Sequence, residues 1–239
     1  MNPRPLYLAG QWHQSDTTSP VVNPATGEKI GEVCTVPRAM VAKAITDAHA
    51  ALPAWRALTG KARGEFLRLI ADELERRGGE IARTITLENG KPLTQSQAEV
   101  AMSVDHLRWF AEEARRAYGR IVPPQVDGKR HLVIKTPIGV VGAISPWNFP
   151  LMLAVRKIAP ALAAGCTVVL KPASATPLCT VQFAECVEAA KLPAGVFQLV
   201  VGRASEIAAE FLENPLCRKI TFTGRPRSAS RSFGVRHRA

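Results

Sequence analysis

Residues 137–150, PIGVVGAISPWNFP, and residues 160–177, PALAAGCTVVLKPASATP, decide how this chain folds. Each holds a short apolar run without alternation, Val140–Ile144 in the first and Thr167–Leu170 in the second. A strand wet on one face alternates; one buried on both faces does not. Met152 to Ala163 reads as a helix between the two runs, and Pro177 to Ala190 reads as a second. Val196–Val201 and Lys219–Phe222 supply two more strands, with a helix over Ala204–Leu212 between them. Apolar strands alternating with helices predict an α/β fold, a doubly wound parallel sheet covered on both faces. Ligands of such sheets lie beyond the carboxyl ends of the strands. The stretches to examine are therefore 145–150, 171–174, 202–203 and 223–225.

Upstream the texture differs. Residues 1–36 read as short strands and turns, with a hairpin at Tyr7–Trp12 and a turn at Asn23–Gly27. Three amphipathic helices are predicted next. The first carries Val41, Ile45, Ala48 and Leu52 and ends at Pro53. The second, from about Lys61, carries Phe66, Ile70 and Leu74 and stops at Gly78-Gly79. The third opens near Thr94, where Thr94 and Gln97 form a capping-box pattern, and ends near Tyr118-Gly119. His131–Lys135 alternates like a strand.

Composition narrows the function classes. A hydrophobic fraction of 46% suits a protein with a real core. No run approaches eighteen apolar residues and no secretory signal opens the chain, so a cytoplasmic protein that does not enter a membrane is expected. The five cysteines are scattered, with no CxxC pair and no metal-ligand spacing, which predicts buried thiols and no metal. The net charge of +11 would suit a nucleic-acid binder, but residues 225–239 hold five of the arginines and no acid. Without them 26 basic residues face 20 acidic ones. No aromatic interleaving accompanies the arginines, so no nucleic-acid partner is expected.

The strand ends carry the candidate chemistry. In Pro146-Trp147-Asn148-Phe149-Pro150 two prolines fix the backbone around Asn148, whose amide can donate to a developing oxyanion or merely satisfy loop carbonyls. Lys171, ahead of Pro172-Ala173-Ser174, can reach a nucleotide's ribose or phosphate, or be a solvated turn lysine. An acid at 174 would favour NAD by binding the free 2′-hydroxyl; the neutral Ser174 permits NADP. Gly202 and Gly224 could let a cofactor approach the backbone. The chain has no GxGxxG, so the usual dinucleotide fingerprint is absent.

Together, PIGVVGAISPWNFP, PALAAGCTVVLKPASATP, PAGVFQLVVG (193–202) and CRKITFTG (217–224) resemble the aldehyde dehydrogenase superfamily, and LPAWRALT, TLENGKPL and WFAEEARRAYG extend the match upstream. Within it the chain is most similar to the succinate-semialdehyde dehydrogenase branch. The resemblance implies an NAD(P)-dependent oxidation of an aldehyde, first succinate semialdehyde to succinate, with glutarate semialdehyde and related short semialdehydes as the alternatives. It implies that Asn148 helps form the oxyanion hole. It further implies that Ile144, Ser145, Pro146, Trp147, Lys171, Pro172, Ala173, Ser174, Gly202, Phe222, Thr223 and Gly224 line the cofactor site. Arg156, eight residues after Asn148, would contact the substrate's carboxylate, where a guanidinium is well matched; its alternative is pairing with a surface acid. The resemblance also implies a homo-oligomer, with residues 120–137 as the strand of an oligomerisation arm.

By the resemblance, residues 1–224 are the N-terminal part of such an enzyme, with an incomplete cofactor-binding sheet. The family's thiol nucleophile and glutamate base follow the FTG motif, whereas here Arg225-Pro226-Arg227 opens an arginine- and serine-rich run to Ala239. That change reads as a frameshift followed by an early stop and predicts a disordered tail. The 239-residue chain would then be inactive, at most a nucleotide-binding remnant.

Overall fold

The structure is a computed structural model that describes residues 2–224; the basic tail at 225–239 lies outside the described residues. The expected hairpin pairs β1 (Leu6–Leu8) with β2 (Gln11–His13) through Ala9-Gly10, both at positive φ. That is the twist a two-residue hairpin turn requires, and Gly10 adopts it without a Cβ penalty. β3 (Thr18–Val22) and β4 (Lys29–Cys34) pair around the predicted Asn23–Gly27 turn.

Four helices follow where three were expected: α1 (Arg38–Ala57), α2 (Gly60–Arg76), α3 (Gly78–Asn89) and α4 (Leu93–Glu113). Pro53 does not end α1. It faces solvent, so the carbonyl its missing N–H leaves free is open to water, and buried Trp55 packs at a tilt against Phe66 with centroids 5.6 Å apart to hold the last turn. Gly78-Gly79 begins α3 instead of a loop, because Ile81 and Ile85 bury against the neighbouring helices. The capping box at Thr94 and Gln97 does not form; Pro92 is the N-cap residue, and Thr94 lies inside α4. A pattern of side chains can suggest a cap, but the preceding proline sets where the helix begins.

Residues 120–137 make two short antiparallel strands, β5 (Arg120–Val122) and β6 (His131–Val133), rather than one. Then come β7 (Val140–Ile144), α5 (Pro150–Ala163), β8 (Thr167–Lys171), α6 (Leu178–Ala189), β9 (Phe197–Leu199), α7 (Ala204–Glu213) and β10 (Cys217–Phe222). The sheet is parallel throughout, in the order β10-β7-β8-β9. α1 and α7 cover one face and α5 with α6 the other, which is the doubly wound layering read from the apolar strands. α2, α3 and α4 pack outside α5 and α6 as a further layer. Among the described residues no helix is long and apolar enough to cross a membrane.

Single polar side chains lock these layers together. Gln198 of β9, fully buried, accepts from Ala9 N at 3.0 Å and donates to the Ala44 carbonyl of α1. Arg63 of α2 donates from Nε to the last carbonyl of α5, Ala163, at 3.0 Å, placing a cation at the negative end of that helix. Cys34, Cys166, Cys179 and Cys186 are buried thiols as expected, whereas Cys217, on the outer strand β10, is only half-buried.

Gly142 in the centre of β7 makes the docking of α7 possible. A Cβ there would come within 2.7 Å of the Phe211 ring and 3.1 Å of Cys217 Sγ. Gly142→Ala should therefore cost about 1–3 kcal/mol through overpacking. Urea denaturation checks this, and an unchanged midpoint would mean that the α7 layer yields freely.

Candidate functional site

The register of the sheet assembles the predicted site. Ile144 stands beside Lys171 on one side and Phe222 on the other. Ser145 N then donates to the Lys171 carbonyl at 3.1 Å and Thr223 N to the Ile144 carbonyl at 3.2 Å, extending the strand ends by one residue each. The Ser145 hydroxyl is buried and has no hydrogen-bond partner among the described residues. Lys171 is 5% exposed and donates to the Pro172 carbonyl at 2.9 Å; burial lowers its pKa to about 8. It is thus not a solvated turn lysine. Pro172 is buried, Ala173 half-buried and Ser174 exposed.

Ser174 and Gly202 line a groove of about 540 Å³ at the carboxyl ends of β8 and β9, within the usual size of a ligand site. Its far wall comes from Thr17, Thr35 and Val36, which sequence reasoning missed. Val36 N donates to the Val201 carbonyl at 2.9 Å, drawing the linker before α1 against the end of β9. The two glycines serve close contacts within the chain. A Cβ on Gly202 would meet the Val36 carbonyl oxygen at 2.7 Å, and one on Gly224 would meet the Phe222 ring at 2.4 Å.

Pro146, Trp147, Asn148 and Phe149 join β7 to α5. Pro146 is half-buried, and Trp147, Asn148 and Phe149 are exposed. The Asn148 side-chain amide makes no hydrogen bond to any described residue, so it is not spent on loop carbonyls. The loop's backbone is held by residues the sequence reading passed over. Asn89 Nδ2 donates to the Trp147 carbonyl at 2.7 Å, and Lys91 Nζ donates to the Asn148 carbonyl at 2.7 Å. Glu99, with no exposed surface, accepts from Leu151 N and Met152 N at 3.0 and 3.1 Å and pairs with Lys91 at 2.6 Å. Glu88 does the same for α6, accepting from Leu178 N at 2.7 Å and Cys179 N at 2.9 Å. One signal was available in the sequence. Glu88 and Glu99 each interrupt a helix's buried stripe, Glu88 after Ile81 and Ile85, and Glu99 beside Val100 and Ser103.

Arg156 is exposed on α5 and makes no ion pair among the described residues, so its alternative reading as the partner of a surface acid is not observed. It lines a different groove from Ser174, of about 330 Å³, together with Lys157, Ile138 and Thr221. Lys157, also missed, is buried and donates to the Thr223 hydroxyl; burial first, and the Arg156 charge second, lower its pKa to about 8. The structure therefore gathers Ile144, Ser145, Lys171, Phe222 and Thr223 at one edge, opens Ser174 and Gly202 to one groove, and sets Arg156 on another.

The relationship of this geometry to known proteins is direct. The model of the aldehyde dehydrogenase family matches residues 12–231. The chain belongs to that family. It is 49% identical over 220 residues to a glutarate-semialdehyde dehydrogenase of Pseudomonas aeruginosa, covering 91% of this chain and 46% of that one. It is 46% identical to a succinate-semialdehyde dehydrogenase [NADP(+)] of Escherichia coli, covering 91% of this chain and 45% of that one. A crystal structure of a succinate-semialdehyde dehydrogenase from Burkholderia pseudomallei superposes with TM-score 0.94 at 39% identity, over 97% of this chain and 48% of that one. As an aldehyde dehydrogenase family member, the chain spans about half the length of the relatives it matches.

Within this aldehyde dehydrogenase fold Glu88 carries a testable charge. Its carboxyl is pushed up to about 7 by burial, against an ordinary value of 4.5. The folded chain therefore holds this proton more tightly than the unfolded one. The resulting stability is fully present below about pH 4.5 and is lost as pH rises through about 7, amounting to on the order of 3 kcal/mol. Glu88→Gln, neutral at every pH, should lack that loss. Urea melts at about pH 5 and about pH 8 should show wild type declining relative to the variant. Parallel pH profiles would overturn the assignment.

Proposed function

We propose that this aldehyde dehydrogenase family member serves the NAD- or NADP-dependent oxidation of a short aldehyde that carries a carboxylate, succinate semialdehyde first among them. The observation that carries the reading is Asn148. It sits at the carboxyl end of a central parallel strand with its backbone held and its side-chain amide unengaged, as an oxyanion donor requires. Lys171, Ser174 and the strand-end backbone around Ile144, Thr223 and Gly202 would hold the cofactor. The groove volume, the exposed Ser174 hydroxyl and the desolvated Lys171 ammonium all suit such a group. When bound, its nicotinamide supplies the hydride acceptor. The neutral Ser174 leaves room for a 2′-phosphate.

Arg156, exposed and without a carboxylate partner among the described residues, would bind the substrate's distal carboxylate. The names of the relatives, glutarate- and succinate-semialdehyde dehydrogenases, support a substrate of this class. The nucleophilic thiol is assigned to none of the cysteines at 34, 166, 179, 186 or 217. Burial pushes Cys186 up to about 12 and Cys179 well above its usual value, the opposite of an activated thiolate. We therefore expect no turnover from the 239-residue chain alone. The β5–β6 hairpin, with Ile121, Leu132 and Ile134 mostly exposed, supports the expectation that copies of the chain associate there.

A chimera joining residues 2–224 to the remaining portion of the Pseudomonas aeruginosa relative tests the reading. It should oxidise succinate or glutarate semialdehyde, and an inactive, folded chimera would count against it. Arg156→Leu in that chimera should raise KM for the semialdehyde about 10- to 100-fold while sparing an uncharged aldehyde of similar length. Equal losses on both substrates would remove Arg156 from carboxylate recognition. Ser174→Glu should turn cofactor preference towards NAD by about tenfold or more, read as the ratio of kcat/KM values.

A further inference from the structure

We infer that Lys91, Glu99 and Asn89 are positioning residues for Asn148, acting as a clamp that holds the backbone of the β7–α5 loop while leaving the side chains of Trp147 and Asn148 free. The inference rests on reading Asn148 as the oxyanion donor.

The clamp closes on four backbone groups within six residues. Asn89 Nδ2 takes the Trp147 carbonyl and Lys91 Nζ the Asn148 carbonyl, each at 2.7 Å. The Glu99 carboxylate takes the Leu151 and Met152 N–H groups with one oxygen and Lys91 Nζ with the other. Lys91 also lies over the Phe149 ring, 4.1 Å from its centroid. None of these bonds uses the side chain of Trp147 or Asn148. A loop that needed only to be stable could be held through any of its atoms. This one is held through its main chain on both sides of Asn148, and its amide is left to point outward.

The parts depend on one another. Lys91 and Glu99 have side chains 9% and 0% exposed, and neither charge could sit there without the other. Glu99 gains further from the positive end of α5, where two N–H groups have no partner inside the helix. Asn89 ends α3, and Lys91 lies in the short connection to α4, Gly90-Lys91-Pro92. There Gly90 turns the chain at φ +85°, and a Cβ would meet Pro24 at 2.9 Å. The loop that carries the chemistry is thus oriented by a helical layer outside the sheet.

Hydrogen exchange of the 239-residue chain, followed by mass spectrometry, reads the clamp directly. Lys91→Met and Glu99→Gln should each speed exchange in peptides covering 147–152 by about tenfold or more, with 140–144 and 167–171 unchanged. Lys91→Arg, which keeps the donor and the charge, should restore most of the protection. Asn89→Ala, at a half-buried site, gives a milder variant should either change in the ion pair prevent folding, and should loosen the same peptide. In the chimera described above, Lys91→Met should lower kcat about 10- to 100-fold with KM little changed, and Lys91→Arg should recover part of it. Unchanged exchange at 147–152 in all the folded variants overturns the clamp. So does an unchanged kcat in an active Lys91→Met chimera. An inactive wild-type chimera beside a positive exchange result would instead sink the proposed reaction and leave the clamp standing.

Discussion

Two buried carboxylates hold this structure in register. Glu88 and Glu99, from the α3–α4 layer, accept the first free N–H groups of α6 and α5. A helix begins with N–H groups that have no intrahelical partner, and burying them unpaired costs about 1–3 kcal/mol each. A serine or aspartate at the N-cap position is the usual local remedy. Neither helix has one, since Phe149 and Pro177 occupy those positions without a capping side chain. The caps arrive from another layer, so the starting points of α5 and α6 are set by tertiary packing. The two strand ends that precede them, β7 and β8, inherit that placement.

The two carboxylates sit in different electrostatic settings. Glu99 faces Lys91, and the pair forms at 2.6 Å. Glu88 forms no ion pair with a described residue and lies near the Cys179 thiol, so burial dominates and its proton is held to about pH 7. The cost of an unpaired buried charge is what raises Glu88. The layer therefore contains one cap that is ionic and one that titrates near neutrality, holding the N-termini of adjacent helices.

Much of the fold was legible in the residues. Val140–Ile144 and Thr167–Leu170 announce buried strands because they lack alternation, and those strands fall where they were read. α3 escaped because its start, Gly78-Gly79, reads as a stop and because Glu88 stands where its apolar stripe should continue. Pro53 was read as a terminus, but the solvent face of α1 tolerates it. Thr94 and Gln97 had the spacing of a cap, and the chain placed Pro92 there instead. In each case one local signal gave way to another constraint: tertiary packing at α3, the solvent face at Pro53 and a neighbouring proline at Thr94.

For the proposed site, the sequence alone singled out the residues at and just beyond the strand ends, Asn148, Lys171, Ser174 and Thr223 among them. A parallel αβ sheet must present its ligand edge where its strands end, and the motifs lie at those ends. The tertiary structure decided what those residues are free to do. It buried Lys171 and left Asn148 and Arg156 without partners among the described residues. It brought Val36 across to wall the groove, and it set Lys91, Glu99 and Asn89 around the loop from about 50 residues away. Periodicity and motif spacing report a residue's own element. Which remote carboxylate or ammonium meets that element depends on how the layers pack, and that is settled only when the buried charges find one another.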